Sequence, residues 1–455
     1  MFLQKFGQSV IGFSDFIWSY PLLVLLLGGG LFLLIYSRFT PLLYMKHAVS
    51  VLTGRYDDPA KPGQISHYQA LSTAVSGFVG MGNVSSVAVA IVVGGPGSVF
   101  WMWVTAVIGV TTQFFTSTLS VMYRGRDANG ELQGGPMYYI VNGMGRKWKF
   151  LAVFFSAFGM IGVTSIFQSN QLTQAIRDVI LIPNNVETGK VSDLVTGLIL
   201  GGLVALVVLG GIRRIGKVAG RLVPLMVITY IAAVLIILFS EPLQIIPGFR
   251  LIFTDAFTAN AVLGGSVGSL MIVGVRRAVF SNEAGIGTAP LAHGAAKTDE
   301  PVRQGLVAML GPVIDTLVIC TMTALAIIIT GVWTTTDDNG ITLTVNAFNN
   351  VMPGFGPYIL TACVSIFALT TMFAYPYYGA KCFNFIFGNR YTLVYMVFYL
   401  VTILAGAMST LRVVISVIDA SYAMMAFPTM ISTLVLAPRV MKEARKYFRQ
   451  LKAAG

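Results

Sequence analysis

Successive apolar stretches, each of roughly the 20 residues that cross a bilayer as a helix, run through almost the whole chain. Only 11% of the 455 residues are Asp, Glu, Lys or Arg, and 55% are apolar. Soluble domains carry about a quarter charged residues. The pattern therefore predicts one all-α polytopic membrane domain and excludes a water-soluble globular protein.

Apolar stretches bounded by charges, Pro or Gly predict eleven transmembrane helices. They cover residues 17–38, 68–93, 97–123, 148–181, 194–210, 215–239, 258–284, 304–332, 355–388, 391–408 and 411–438. The first stretch follows a polar start and is long enough to span, which disfavours a cleaved signal peptide. We expect an N-terminal helix and loop, two groups of five helices and a basic tail, over residues 1–67, 68–239, 240–438 and 439–455.

Positive charge is distributed asymmetrically. Most of the 30 Lys and Arg residues lie in alternate connections, one of which carries Lys381 and Arg390, and in the tail after Arg439. Because cytoplasmic loops carry an excess of Lys and Arg, we expect a multi-pass plasma (inner) membrane protein with its N-terminus outside and its C-terminus in the cytoplasm. The asymmetry also accounts for the net charge of +12 without a nucleic-acid partner. The tail is suited to anionic lipid headgroups of the bilayer, although a plain positive-inside anchor explains it equally.

Two predicted spans contain glycine clusters. These are Gly77-Phe78-Val79-Gly80-Met81-Gly82-Asn83 and Gly264-Gly265-Ser266-Val267-Gly268-Ser269, with Gly274 further on. Unwound backbone inside a bilayer is tolerated only where it is buried or lines a cavity; close helix packing through small residues is the alternative. Each group of five helices opens with such a span, and an odd number of helices inverts one group relative to the other. This layout is typical of inverted-repeat transporters, whose site lies at the paired breaks.

Carboxylates inside a membrane are costly without a partner. Glu283 ends the second broken span close to Arg276 and Arg277, which favours an ion pair with a neighbouring arginine. Asp315 either binds a cation or belongs to a structural hydrogen-bonded network, and the sequence leaves the role of Asp419 open.

Other polar side chains also interrupt the spans. The adjacent hydroxyls of Thr370 and Thr371 suit a hard monovalent cation, although Thr also bonds back to its own helix. The amide of Gln168 either binds a substrate or holds helices together. The three histidines and three cysteines show no spacing of a catalytic, disulfide or metal constellation, so we expect neither an enzyme nor a cofactor.

One string is highly specific: Gly94-Gly95-Pro96-Gly97-Ser98-Val99-Phe100-Trp101-Met102-Trp103. With Gly134 to Tyr139, Phe280 to Gly285 and Asp315 to Leu325, it resembles the alanine or glycine:cation symporter family of the amino acid-polyamine-cation superfamily, over about residues 66–440. The resemblance implies a fold like that of the bacterial leucine transporter, a 5+5 inverted-repeat core with two broken helices and one extra N-terminal helix. It also implies sodium-driven uptake of small neutral amino acids at a central site.

The resemblance implies a substrate-binding region. Backbone amides at Gly80, Met81 and Gly82 are expected to face the substrate carboxylate, in line with the partial positive charge of a half-helix N-terminus. Gln168 matches a glutamine that faces the substrate. Tyr375 stands where the family usually has a tryptophan that closes the pocket.

The resemblance also implies a cation site, with no metal other than sodium. The carbonyls of Ser76 and Val79 are expected to bind sodium together with the hydroxyls of Thr370 and Thr371. Asn83 matches an asparagine that supports a second cation beside the substrate carboxylate.

The chain departs from the family pattern at several positions. Met81 replaces a usual Thr, Ala278 a usual Gly, and Gln113 and Thr116 a usual Lys and Glu. We hypothesise a symporter that couples sodium influx to uptake of alanine or glycine by alternating access. The alternatives are an amino-acid carrier of altered selectivity or driven by protons, and a channel or sensor built on the same fold.

Overall fold

The computed structural model describes residues 2–18, 20–127, 130–208, 211–257 and 266–454. The described chain is almost entirely helical, with one antiparallel hairpin formed by Gly125–Arg126 and Leu132–Gln133. Eight helices are long and apolar enough to cross a membrane: Ser98–Met122, Arg146–Asn184, Lys190–Val208, Gly211–Ser240, Pro301–Thr330, Gly356–Phe387, Asn389–Ala407 and Leu411–Ala453.

Two further spans are bent pairs of helices. One joins Ile11–Ile17 to Pro21–Tyr36, and the other joins His67–Phe78 to Gly82–Gly94 with a bend of 51°. Within the described residues the chain therefore has eight to ten candidate spans, and the predicted count of eleven is not confirmed. The predicted helix over 258–284 appears as Ser266–Asn282, because residues 258–265, with Gly264 and Gly265, lie outside the described residues.

Further helices, which include the parts of the first bent span, have at most 16 residues each. They are Phe2–Ile17, Tyr20–Leu23, Val24–Gly28, Gly29–Tyr36, Thr40–Leu43, Met45–Leu52, Pro136–Tyr139, Ile140–Met144, Pro242–Asp255, Ala289–His293 and Ile341–Val351, with single turns at Val332–Thr334 and Asn389–Tyr391. Pro242–Asp255 and Ile341–Val351 lie in segments that the sequence predicts as connections. Two other predictions differ in detail: the helix over 148–181 is interrupted between Lys149–Gly162 and Ile166–Ile176, and the tail from 439 continues the helix Leu411–Ala454.

The helix His67–Phe78 begins and ends at local signals. Ser66 and Gln69 form a capping box, in which each side chain accepts a hydrogen bond from the other residue's backbone amide. The helix ends at Phe78, because the backbone of the next residue, Val79, is extended (φ −76°, ψ 101°). We call His67–Phe78 and Gly82–Gly94 together the first broken helix.

The second broken helix consists of Ser266–Asn282 and Ala289–His293. Its break lies at Glu283, Gly285 and Gly287, which all have positive φ values, of 53°, 87° and 102°. The prediction of a break in the glycine cluster is wrong for Gly274, which lies inside a continuous helix. A Cβ at Gly274 would lie 2.5 Å from the carbonyl oxygen of Ser98, so the glycine serves close packing instead.

The Gly-Pro-rich signature forms a turn against the helix Pro242–Asp255. Gly95 has a φ of +77°, and a Cβ there would lie 2.7 Å from an Asp255 carboxylate oxygen. The same oxygen accepts a hydrogen bond from the Gly97 amide at 2.7 Å. The glycines are therefore required by the left-handed turn and by this close contact.

The helices differ in how far they are buried. In their most apolar parts, 67% of Ser98–Met122 and of Gly356–Phe387 is buried, against 22% of Lys190–Val208. The exposed residues of Lys190–Val208 include Leu198 and Leu206. An apolar helix that exposes leucines at the periphery is stable in lipid and not in water, so the folded chain fits a bilayer.

Candidate functional site

The two broken helices pack against each other close to their interruptions. A Cβ on Gly82 would lie 3.5 Å from the Cα of Ser281, in the last turn of Ser266–Asn282. Both residues are buried. The structure thus places the two interruptions side by side in the interior of the molecule, where inverted-repeat transporters bind their substrates.

Asn83 holds the first break in shape. Its side-chain oxygen accepts a hydrogen bond from the Gly80 amide at 2.8 Å, and its side-chain nitrogen donates to the Asp315 carboxylate at 2.6 Å. The Gly80 amide, which was expected to face the substrate, is therefore already bonded. Within the described residues, the neighbouring amide of Met81 has no acceptor and remains available as a donor.

Asp315 connects the two broken helices. It lies in the π-helical segment Val313–Cys320, and its carboxylate also accepts hydrogen bonds from Ser281 at 2.9 Å and Thr316 at 2.6 Å. The side chain is fully buried, and no Lys, Arg or His of the described chain forms an ion pair with it. The carboxylate is therefore held by hydrogen bonds from three polar side chains and not by an ion pair, as the prediction of a hydrogen-bonded network allows.

A small cavity, here called the central cavity, lies beside the breaks. Its lining residues are Gly77, Phe78, Gly80, Gly82, Gly162, Thr164, Phe167, Gln168, Phe280, Tyr375, Ile418 and Tyr422. The centre of a water molecule can occupy about 10 Å³ of it, roughly the room for one water. The rings of Phe167 and Phe280 meet edge to face with centroids 4.9 Å apart. Aromatic rings therefore form part of the walls of the central cavity.

Gln168 presents an unused acceptor at the central cavity. The residue is 7% exposed, and its side-chain oxygen is buried without a hydrogen-bond partner among the described residues. Leaving such an oxygen unpaired costs about 1–3 kcal/mol, so an ammonium group of a ligand would stabilise it. Of the other predicted substrate residues, Gly80, Gly82 and Tyr375 also line the central cavity, whereas the Met81 side chain is buried in the apolar core.

The two predicted cation-binding threonines have different neighbours. A Cβ on Gly80 would lie 2.6 Å from the Thr371 hydroxyl oxygen, so Thr371 touches the first break and leaves no room for a larger residue than glycine. Thr370 instead contacts the sulfur of Met226 at 3.5 Å. Both hydroxyls donate to the Phe367 carbonyl in the preceding turn, as the alternative interpretation predicted. A donating hydroxyl retains its lone pairs, which can still bind a cation.

Two backbone carbonyls at the end of the helix His67–Phe78 are unpaired among the described residues. Within the described residues, the carbonyls of Ser76 and Val79 accept no hydrogen bond, because the helix that would supply the donors ends at Phe78. Together with Thr371 they offer neutral oxygen ligands of the kind that hard cations prefer. Asn83 differs from expectation in that its amide already bonds Gly80 and Asp315.

The ion pair expected between Glu283 and a neighbouring arginine is wrong. The Glu283 carboxylate is buried and accepts hydrogen bonds from Tyr375, from Thr288 and, at 2.8 Å, from Tyr422. The helix ends before Glu283, so this side chain does not share the helix face of the arginine seven residues earlier. Because Tyr375 and Tyr422 line the central cavity, Glu283 lies directly behind its wall.

The two arginines pair with Asp419 instead. The role of Asp419, which the sequence left open, therefore includes a buried ion pair. Arg276 and Arg277 bond the same Asp419 oxygen at 2.7 and 2.5 Å. Arg276 also bonds Asp15 at 2.9 Å and Ser14 at 2.6 Å, so the network ties the N-terminal helix to the core.

Several residues of the site were not predicted, among them Thr164, Phe167, Phe280, Ser281 and Tyr422. The predicted helix over 148–181 is interrupted after Gly162, and the sequence signal for this interruption was the pair Gly162 and Thr164. Tyr422 lies within a regular helix and shows no signal in the sequence, because only the packing of distant helices brings it to the central cavity.

Known proteins resemble this chain over nearly its whole length. The sodium:alanine symporter family matches residues 4–455. A sodium/alanine symporter of Methanococcus maripaludis is 38% identical over 452 residues, covering 98% of each chain. A probable sodium/glutamine symporter of Bacillus subtilis is 32% identical over 456 residues, covering 99% of this chain and 93% of the relative.

The fold also resembles a solved structure. The crystal structure of MhsT in complex with L-phenylalanine superimposes with a TM-score of 0.59 at 12% identity and covers 84% of this chain and 98% of that chain. This likeness concerns the fold and confirms the predicted class, a helical membrane protein with a leucine-transporter-like architecture. The family match over residues 4–455, with a relative 38% identical over 98% of each chain, shows that the chain belongs to the sodium:alanine symporter family, a family of membrane transporters and not of enzymes.

Proposed function

We propose that this chain is a secondary symporter of the plasma membrane that couples sodium influx to the uptake of a small neutral amino acid, alanine or glycine, by alternating access. One relative is a sodium/alanine symporter and another a probable sodium/glutamine symporter, which supports the coupling ion and the substrate class. The proposal includes an N-terminus outside, a C-terminus in the cytoplasm, and two inverted groups of helices over 68–239 and 240–438.

The observation that carries this proposal is the composition of the central cavity. The unbonded amide of Met81, between the cavity-lining Gly80 and Gly82, is a donor for a carboxylate. The unpaired oxygen of Gln168 is an acceptor for an ammonium group. With aromatic rings closing the remaining walls, these groups complement a zwitterion with a small apolar side chain.

Sodium binding at the first break accounts for coupling. The carbonyls of Ser76 and Val79 and the hydroxyl of Thr371, with Thr370 beside it, would surround the ion next to Gly80. An ion there compensates the carbonyls that the break leaves unpaired and holds the break in its substrate-binding shape. Sodium then raises the affinity for the substrate, and by linkage the substrate raises the affinity for sodium by the same factor.

The small size of the central cavity supports alternating access over a permanent channel. Its space for about one water is too small for an amino acid, so substrate binding requires the helices around it to move. We propose that one bundle of helices rocks against the rest around the two breaks, which opens the central cavity to each side of the membrane in turn.

The test is uptake of radiolabelled glycine, alanine, serine and larger neutral amino acids into liposomes that hold the purified protein. An inward sodium gradient is expected to drive glycine or alanine above its external concentration, and replacement of sodium by choline is expected to abolish this accumulation. Equal uptake in choline would overturn sodium coupling. Uptake of larger amino acids alone would overturn the substrate assignment, and equilibration without accumulation would indicate a channel.

A carrier driven by protons is the second candidate. The supporting observation is that Asp315 and Glu283 are buried and form no ion pair within the described residues, so either carboxylate is placed to carry a proton. Uptake that follows a pH gradient in sodium-free liposomes would favour this candidate over sodium coupling.

A further inference from the structure

A second cavity, here called the inner cavity, has a volume of about 290 Å³ and lies on the side of the molecule that carries the basic connections. Both hydrogen-bond donors and acceptors line it. The donors include Lys381 and Tyr377. The acceptor region consists of the side chains of Gln64, Asp127, Glu131 and Gln133.

Lys381 is a buried amino group without a salt bridge among the described residues. It was expected in a connection, but the structure buries it in the helix Gly356–Phe387, where it is 6% exposed. Its ammonium donates to the Leu291 carbonyl at 2.9 Å and lies 4.6 Å from the centre of the Tyr377 ring, while no described carboxylate forms an ion pair with it. An ammonium group has three N–H donors, so Lys381 can also donate a hydrogen bond to an anionic ligand. The Tyr377 hydroxyl is likewise buried without a partner.

The acceptor region of the inner cavity has unpaired oxygens. Gln64 donates to Glu131 and Gln133 donates to Asp127, each at 2.9 Å, and these bonds use the amide nitrogens. The amide oxygens of both glutamines are buried and have no partner among the described residues. Two carboxylates and two unpaired amide oxygens therefore form a region that suits an ammonium group.

We propose that the inner cavity binds a zwitterionic amino acid, with its carboxylate at Lys381 and Tyr377 and its ammonium group at the acceptor region. A simple anion would satisfy only Lys381 and Tyr377, whereas a zwitterion satisfies both regions. This assignment rests on the proposed function, since the ligand is the transported amino acid on its way between the central cavity and the cytoplasm. Lys381 follows the cavity-lining Tyr375 by six residues of the same helix, roughly 9 Å along its axis, so the distance between the two positions is short.

Binding is measured by titration calorimetry on the full-length protein in nanodiscs, in choline buffer without sodium. The probes are glycine, acetate, which is glycine without its ammonium group, and chloride. Lys381→Gln is expected to lower the affinity for both glycine and acetate about tenfold or more, because a charge-assisted hydrogen bond is lost. Glu131→Gln is expected to lower the affinity for glycine and to leave the affinity for acetate unchanged. Arg390→Gln, at an exposed cation near the end of the same helix, serves as the matched control and is expected to change neither.

Unchanged glycine binding in Lys381→Gln would overturn the assignment. Chloride binding as tight as glycine, with no effect of Glu131→Gln, would also overturn it, because the ligand would then be a simple anion. If Lys381→Gln does not fold, Tyr377→Phe removes only the unpaired hydroxyl and is expected to weaken acetate about threefold; equal acetate affinity in this variant would contradict the proposal.

The two proposals fail in different ways. If the wild-type protein shows no sodium-driven uptake in liposomes, the proposed function fails whatever the calorimetry shows. If uptake is sodium-driven and Lys381→Gln still binds glycine like the wild type in choline, only the inner cavity assignment fails.

Discussion

Asn83 donates a hydrogen bond of 2.6 Å to the carboxylate of Asp315, and the same amide side chain accepts the backbone N–H of Gly80. Asp315 in turn accepts a hydrogen bond from Ser281, in the last turn before the second break. A continuous chain of buried hydrogen bonds therefore links the two broken helices. Since each member depends on the next for a partner, the shape of one break is coupled to the shape of the other.

Asn83→Ala is expected to lower the free energy of unfolding by about 1–3 kcal/mol, because the Gly80 amide and an Asp315 oxygen each lose a buried partner. Sodium-driven uptake should also fall, since the first break loses the side chain that holds the Gly80 amide in place. Thermal unfolding in detergent and liposome uptake measure the two effects. Asn142→Ala, at an exposed amide, is the control; similar losses in both variants would contradict the role assigned to Asn83.

Thr371→Ala is expected to raise the sodium concentration for half-maximal uptake about tenfold, because the ion loses an oxygen ligand beside Gly80. Thr370→Ala should have a smaller effect, since the Thr370 hydroxyl contacts Met226. Thr371→Ser keeps the hydroxyl and should behave like the wild type. The sodium dependence of uptake gives the measurement, and a serine variant as poor as the alanine variant would rule out a ligand role for this hydroxyl.

Glu283→Gln is expected to slow uptake about tenfold or more, because the amide offers one acceptor oxygen where Tyr375, Thr288 and Tyr422 now bond to a carboxylate. The wall of the central cavity would then lose its support. Tyr422→Phe should have a milder effect because Glu283 keeps two donors. Initial uptake rates are compared with those of Glu187→Gln, at an exposed carboxylate. Wild-type rates for Glu283→Gln would show that this cluster only fills space.

Asp419→Asn is expected to lower the free energy of unfolding by about 3–5 kcal/mol, because it leaves Arg276 and Arg277 without the buried charge that pairs with both. Glu443→Gln, which breaks a largely exposed pair with Lys446, should cost at most about 1 kcal/mol. Melting temperatures in detergent test the contrast. Equal shifts for the two variants would mean that the buried network contributes no more than the surface pair.

The sequence was sufficient for the fold class and for the first break, where Gly80 and Gly82 interrupt an apolar span and Asn83 adds a polar side chain. It was not sufficient for the position of the second break. Gly274 is equally compatible with a kink and with a straight helix packed on Ser98, and packing decides between them. The positive φ of Glu283, a residue that seldom adopts it, has no marker in the sequence.

The partners of the buried charges could not be predicted either. Arg276 and Arg277 lie within seven residues of Glu283 but pair with Asp419, more than 140 positions away. Nearness along the chain favoured Glu283 as the partner. This was wrong because the helix ends between the arginines and Glu283. For the threonines, adjacent residues of a helix point about 100° apart, so only the packing of other helices shows which one meets Gly80.

The helix Leu411–Ala454 carries Asp419 and Tyr422 near the central cavity and continues without interruption for 44 residues, about 66 Å, roughly twice the hydrocarbon thickness of a bilayer. Its far end is held where Tyr447 bonds His47 at 2.7 Å. The helix therefore connects the wall of the central cavity at Tyr422 with the contact at His47. Because this contact holds Tyr447, roughly 40 Å from Tyr422, we expect it to restrict the tilt of the helix beside the central cavity, with Pro428 and Pro438 as the positions where the helix can bend.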